Sequence, residues 1–135
     1  MLGQYLLRII VAAVVGTIIG IRTDSAASRM FAIVCTGATL LTLVSTEFYK
    51  VVDYPWFGDP GRLSAQILVA LGFLGTGLIW VSEKQEIQGL SLAASLWLTA
   101  ILGIVIGSGQ GITSLVILIM LVMGYLIFTL NIKLK

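Results

Sequence analysis

The chain has no histidine, one cysteine, two prolines and few charges, with eight Lys/Arg and six Asp/Glu among 135 residues. Each scarcity excludes something. Without imidazole and with a single thiol, Cys35, the usual zinc and haem ligand sets and every imidazole-dependent catalytic triad are ruled out. Cys35 cannot form an intramolecular disulfide, and inside an apolar run it reads as a small packing residue. A net charge of +2, with no basic cluster, offers nucleic acid no electrostatic footprint. Charged residues make up 10% of the chain against 59% hydrophobic, too few to cover a water-soluble domain. A mean hydropathy of +1.09 points instead to the lipid bilayer as solvent and first partner.

What the chain does have is long apolar runs. A membrane crossing needs about 20 apolar residues, with a range of roughly 17–25. On that rule residues 1–135 form a single transmembrane domain of the all-α membrane class. It is a polytopic bundle of about five transmembrane helices, with spans near 5–21, 30–47, 63–82, 88–107 and 112–131. Ile87 to Ile132 carries no charge at all. That stretch is too long for one crossing, and Ser108-Gly109-Gln110-Gly111 supplies turn chemistry to divide it into two. The first span does not read as a cleaved signal: no basic residue precedes Arg8, and Arg22 and Asp24 stand before the small residues Ala26-Ala27-Ser28. With five spans, Arg22, Arg29, Lys84, Lys133 and Lys135 share one side, and Arg8, Lys50 and Arg62 the other. The positive-inside rule then predicts an outer N-terminus and a cytoplasmic C-terminus.

Lipid gives helices no hydrophobic reason to associate, so small residues that let backbones approach are informative. Ser91, Ser95, Thr99, Gly103 and Gly107 recur every four residues. Four residues advance a helix by about 400°, so this stripe drifts only about 40° per step and suits a right-handed crossing. The first span carries Arg8, Ala12, Gly16 and Gly20, the second Thr39, Thr42 and Thr46, and the third Gly72, Gly75, Thr76 and Gly77. Two readings compete: a polar pathway through the bundle, or close packing with hydroxyls bonded to the preceding turn. The second is preferred on general grounds.

Arg8 and Gln66 are the polar side chains that packing does not explain. An arginine at membrane depth costs roughly 2.5–3.5 kcal/mol on insertion scales. Arg8 either snorkels to the outer headgroups or turns inward to pair with Asp59 or Glu47, which lie at the same level. Asp59, Arg62 and Gln66 are spaced by three and four. One helical face presents all three if the helix begins at Pro60 with Asp59 as its N-cap. The expected polar network is therefore Arg8, Asp59, Arg62 and Gln66. Neither a cofactor nor a metal site is expected. Magnesium prefers octahedral oxygen coordination, and the outer acids Glu47, Asp53 and Asp59 leave every span without a deep carboxylate. Ser91, Ser95 and Thr99 lack a His, Cys or Lys at comparable depth to activate them, which argues against an enzyme. Gly72 to Gly77 lacks the Lys-Ser/Thr of a phosphate loop.

The ordered set of short motifs resembles the MgtC/SapB family of bacterial inner-membrane proteins. It comprises Leu7-Arg8 before Gly16-xxx-Gly20, Asp59-Pro60-Gly61-Arg62-Leu63-Ser64-Ala65-Gln66, Gly72-Phe73-Leu74-Gly75-Thr76-Gly77, and Leu90 through Ala100 followed by Gly103 and Gly107. Gly20-Ile21-Arg22-Thr23-Asp24 lacks the acidic residue that the family commonly places before arginine. The resemblance implies about five spans, an external N-terminus, and a role in growth at low magnesium and in virulence. For some members it implies restraint of the F-type ATP synthase. Longer members carry a cytoplasmic C-terminal domain, so a chain ending at Lys135 reads as a short form. The leading expectation is a non-enzymatic inner-membrane regulator that associates with other membrane subunits or with itself as a homo-oligomer. The alternative is an ion channel or transporter component for magnesium.

Overall fold

The computed structural model describes residues 2–23, 27–51 and 59–109, together with positions 111, 118, 119, 122 and 124. Within them the chain forms α1 (Leu2–Thr23), α2 (Ser28–Val51), α3 (Pro60–Gly77), a ribbon of β1 (Trp80–Val81) and β2 (Ile87–Gln88), and α4 (Leu90–Ser108). In lipid an unpaired backbone amide costs several kcal/mol, so apolar runs of this length close their hydrogen bonds inside helices. Three of the described helices are long and apolar enough to cross a membrane: Leu2–Thr23, Ser28–Lys50 and Leu90–Ser108. The chain is thus a helical membrane protein. Most of the fifth expected span, 112–131, lies outside the described residues; within it, Leu118 and Val122 pack against the core.

α2 is the central rod. α1 packs along it antiparallel, since Gly16 meets Phe31 and Cys35 while Gly20 meets Ser28. α4 lies against α2 in parallel, with Gly103 at Cys35 and Ala38 and Gly107 at Thr39 and Thr42. Phe31, Cys35, Thr39, Leu96, Thr99 and Leu102 are fully buried in the resulting core. α3 covers this core with a narrow stripe, in which Ile67, Leu71 and Gly75 are buried and most of its other residues are exposed.

The third expected span needs correction. Hydropathy alone extends it to Ser82, but α3 ends at Gly77. The Leu78 amide turns back to the Gly75 carbonyl and the Ile79 amide to that of Thr76, the tightened last turn by which a helix satisfies its terminal carbonyls. Trp80 then pairs with Gln88 and Val81 with Ile87 in antiparallel register. This pairing also delays α4 to Leu90, beyond the expected start near residue 88. A hydropathy window cannot separate a helix end from an apolar ribbon, because both are uncharged.

Candidate functional site

The polar side chains of the bundle gather at the end where α1 begins and where α2 and α4 finish. Arg8 enters α1 one turn from its start and is half-buried. It turns inward: Nη1 donates to the Gly107 carbonyl at 3.2 Å, and the guanidinium lies against Gly109. Gly109 caps α4 in the left-handed conformation at φ 62°. A Cβ there would overlap the guanidinium itself, so glycine is needed both for the turn and for the approach. Terminal carbonyls of a helix carry partial negative charge, so the last turn of α4 is a cation site that Arg8 fills. A backbone carbonyl, that of Gly107, therefore stands in place of the expected carboxylate partner. The reason is one of supply: four C-terminal carbonyls lack intrahelical donors.

Glu47, the other candidate partner, is engaged elsewhere. Its Oε1 accepts from the Tyr5 hydroxyl and from Lys50 Nζ, each at 2.6 Å. Lys50–Glu47 is the only ion pair among the described residues. Tyr5 and Lys50 were not anticipated as part of this network. The i, i+3 spacing of Glu47 and Lys50 signals their pairing, but nothing local connects Tyr5 to a residue 42 positions away.

Asp59 caps α3: its side chain accepts from the Gly61 amide at 2.8 Å, with Pro60 opening the helix. Arg62 and Gln66 follow on the same exposed face. No side-chain hydrogen bond among the described residues joins Asp59, Arg62 and Gln66 to one another or to Arg8. The four-residue network thus separates into a cap, an exposed α3 face and the Arg8 latch on α4.

The small-residue stripes also divide. A Cβ on Gly16 would lie 2.6 Å from the Phe31 carbonyl oxygen, and one on Gly20 2.5 Å from the Ser28 Cα. On Gly107 it would lie 2.7 Å from the Thr39 oxygen, and on Gly103 it would overlap the Cys35 oxygen. These four glycines are consumed inside the bundle. The threonine hydroxyls at these contacts are consumed as well. Thr39 Oγ1 is 2.9 Å from both the Cys35 and the Gly103 carbonyls, while Thr42 and Thr99 bond to the turns before them. Ser91 is exposed, Ser95 half-buried and Thr99 buried, so this stripe runs from the surface into the α2–α4 contact. Self-satisfied hydroxyls do not make a polar pathway.

α3 differs. Among the described residues nothing lies within 4 Å of a Cβ built on Gly72 or Gly77, and Gly75 makes only an ordinary contact with Ala93 at 3.7 Å. Phe73, between them, is 80% exposed. The described acids do not assemble: Glu47 is paired, Asp59 caps a helix, and Glu83 and Glu86 lie beyond the end of α3. No three His, Cys, Asp or Glu come together among the described residues.

Against known proteins, residues 9–133 match the MgtC family. YhiD of Escherichia coli (strain K12), described by its name as a candidate magnesium transporter, is 37% identical over 116 residues, or 82% of this chain and 54% of its own. Protein MgtC of Salmonella typhimurium (strain LT2) is 37% identical over 110 residues, covering 78% of this chain and 44% of its own. An uncharacterized protein of Haemophilus influenzae is 34% identical over 109 residues, or 76% of this chain and 46% of its own. The chain thus spans about half the length of the curated relatives it matches. No solved structure matches.

Proposed function

The chain belongs to the MgtC family, and on that premise we propose that it is a non-enzymatic regulator of the bacterial inner membrane. It acts by associating with other membrane subunits in adaptation to low magnesium. The assembly implied by the family resemblance is the F-type ATP synthase, held in restraint. The N-terminus lies outside and the C-terminus in the cytoplasm, as the distribution of Lys and Arg favours.

One observation carries the association reading. Gly16 and Gly20 of α1 and Gly103 and Gly107 of α4 are used up by α2, whereas among the described residues Gly72 and Gly77 present open backbone beside the projecting Phe73. Small residues beside a large apolar one make a helix face that a foreign helix can approach closely. A photoreactive phenylalanine analogue at position 73, activated in native membranes, tests this. The expected product joins the chain to a foreign membrane subunit. Products formed only with residues 112–131 of the same chain would overturn the reading, and products formed only with a second copy would replace the foreign partner by self-association.

Direct magnesium transport is the second reading, favoured by the name of the Escherichia coli relative. It has less support from the side chains. Among the described residues the buried polar ones are Thr39, Thr42, Ser45 and Thr99, and hydroxyls alone are a poor substitute for the carboxylates that usually accompany hydrated magnesium. Magnesium flux into proteoliposomes that falls with Asp59→Asn would favour transport over regulation.

A further inference from the structure

We propose that the β1–β2 ribbon is an interfacial anchor, a docking surface whose partner is the lipid headgroup layer. Its depth follows from length. α4 has 19 residues, and at about 1.5 Å each they rise about 28 Å, close to the whole hydrocarbon core of about 30 Å. With α4 spanning that core, Leu90 stands at its boundary, and the ribbon immediately before it lies in the interface.

The ribbon's own chemistry selects the same layer from two directions. A two-stranded ribbon has open edges whose amides and carbonyls cannot be left unpaired in hydrocarbon. Yet Trp80 is 57% exposed, Val81 62% and Ile87 66%, so water alone is an equally poor surrounding. Headgroups supply both hydrogen-bonding partners and apolar cover, and tryptophan is enriched there for that reason. The tip carries Glu83, Lys84, Gln85 and Glu86, all exposed, and it closes through Ser82–Glu86 and Gln85–Ser82 backbone bonds at 2.9 and 3.0 Å. Its charges face water beyond the apolar strands. Continuity supports lipid as the occupant, because the exposed side chains Leu74 and Ile79 carry apolar surface from the end of α3 towards the ribbon.

The anchor is rigidly joined to the helices. Gly89 lies at φ 82°, and a Cβ there would overlap the Leu78 carbonyl oxygen and lie 2.9 Å from the Trp80 ring. The end of α3 and the start of α4 are thereby held at one depth. This matters most for α3, which buries so little of itself.

The test uses a chain with Trp80 as its only tryptophan (Trp56→Phe, Trp97→Phe), reconstituted in phosphatidylcholine vesicles with iodide equilibrated on both sides. Trp80 emission should be quenched at least about twofold more by phospholipid brominated near the glycerol than by phospholipid brominated at the chain ends. Iodide quenching should be at least about threefold weaker than for a tryptophan amide in water. Adding Val81→Asp and Ile87→Asp should raise iodide quenching about twofold at unchanged helical circular dichroism. Iodide quenching equal to that of the free amide would place the ribbon in water and overturn the anchor. Stronger quenching from the chain ends would do the same by placing it in hydrocarbon. Protection from both iodide and brominated lipid would mean that protein covers the ring, which also overturns it.

Discussion

α4 and α3 are nearly equal in length, with two glycines in α4 and four in α3, yet they are held in different ways. In α4, Gly103 and Gly107 sit against α2 backbone, and Thr39 places a hydroxyl on the Gly103 carbonyl between the two helices. In α3, Gly72 and Gly77 meet no described neighbour, and the helix is retained by Ile67, Leu71 and Gly75. Glycine in a membrane helix is therefore not one signal but two. Against a neighbour it is a contact that tolerates no side chain; on an open face it is an available approach.

The comparison breaks most visibly at the α2–α4 contact. Gly107→Val must drive its Cβ into Thr39, so the helices separate. The expected loss is about 3 kcal/mol or outright failure of the bundle, measured by unfolding in mixed detergent–SDS micelles. If Gly107→Val leaves stability unchanged, the tight contact does not exist.

Next in size is Arg8→Ala, which empties the cation site at the end of α4 and should cost about 1–2 kcal/mol in the same titration. Because the partner is a carbonyl, the exchange Arg8→Glu with Asp59→Arg should be no more stable than Arg8→Glu alone. Restoration by the second substitution would reinstate the carboxylate pair.

Asp59→Ala removes the α3 cap and should cost about 1 kcal/mol, accompanied by faster amide exchange confined to the first turn of α3. The smallest effect belongs to Gly72→Ala. It adds a methyl where nothing described stands, and it should be neutral or stabilise α3 by a few tenths of a kcal/mol through reduced chain entropy. The same substitution should reduce crosslinking from position 73. A Gly72→Ala penalty as large as that of Gly107→Val would erase the distinction between the two helices.

Much of this was legible in the residues. Uncharged runs mark α1, α2 and α4, and the Asp59-Pro60 pair marks the start of α3, because capping depends on a local side chain and a fixed proline φ. The residues gave less warning of the ribbon: Trp80, Val81 and Ile87 are as apolar as helix residues, and pairing across a turn leaves no trace in a hydropathy window. Arg8 was recognisable as a residue needing a partner, but the choice among Glu47, Asp59 and the end of α4 was not. Glu47 is claimed by Tyr5 and Lys50, and that depends on where α1 meets α2.

The residues alone specify the solvent of this protein and the rods that lie in it, because transfer into lipid and closure of backbone hydrogen bonds are set by local composition and length. Packing in three dimensions sets which glycines are occupied and which stand open among the described residues, what Arg8 holds, and where α3 gives way to a ribbon. Those outcomes depend on which surfaces meet, and in lipid, where all apolar faces are equally well solvated, shape and unpaired carbonyls choose among them.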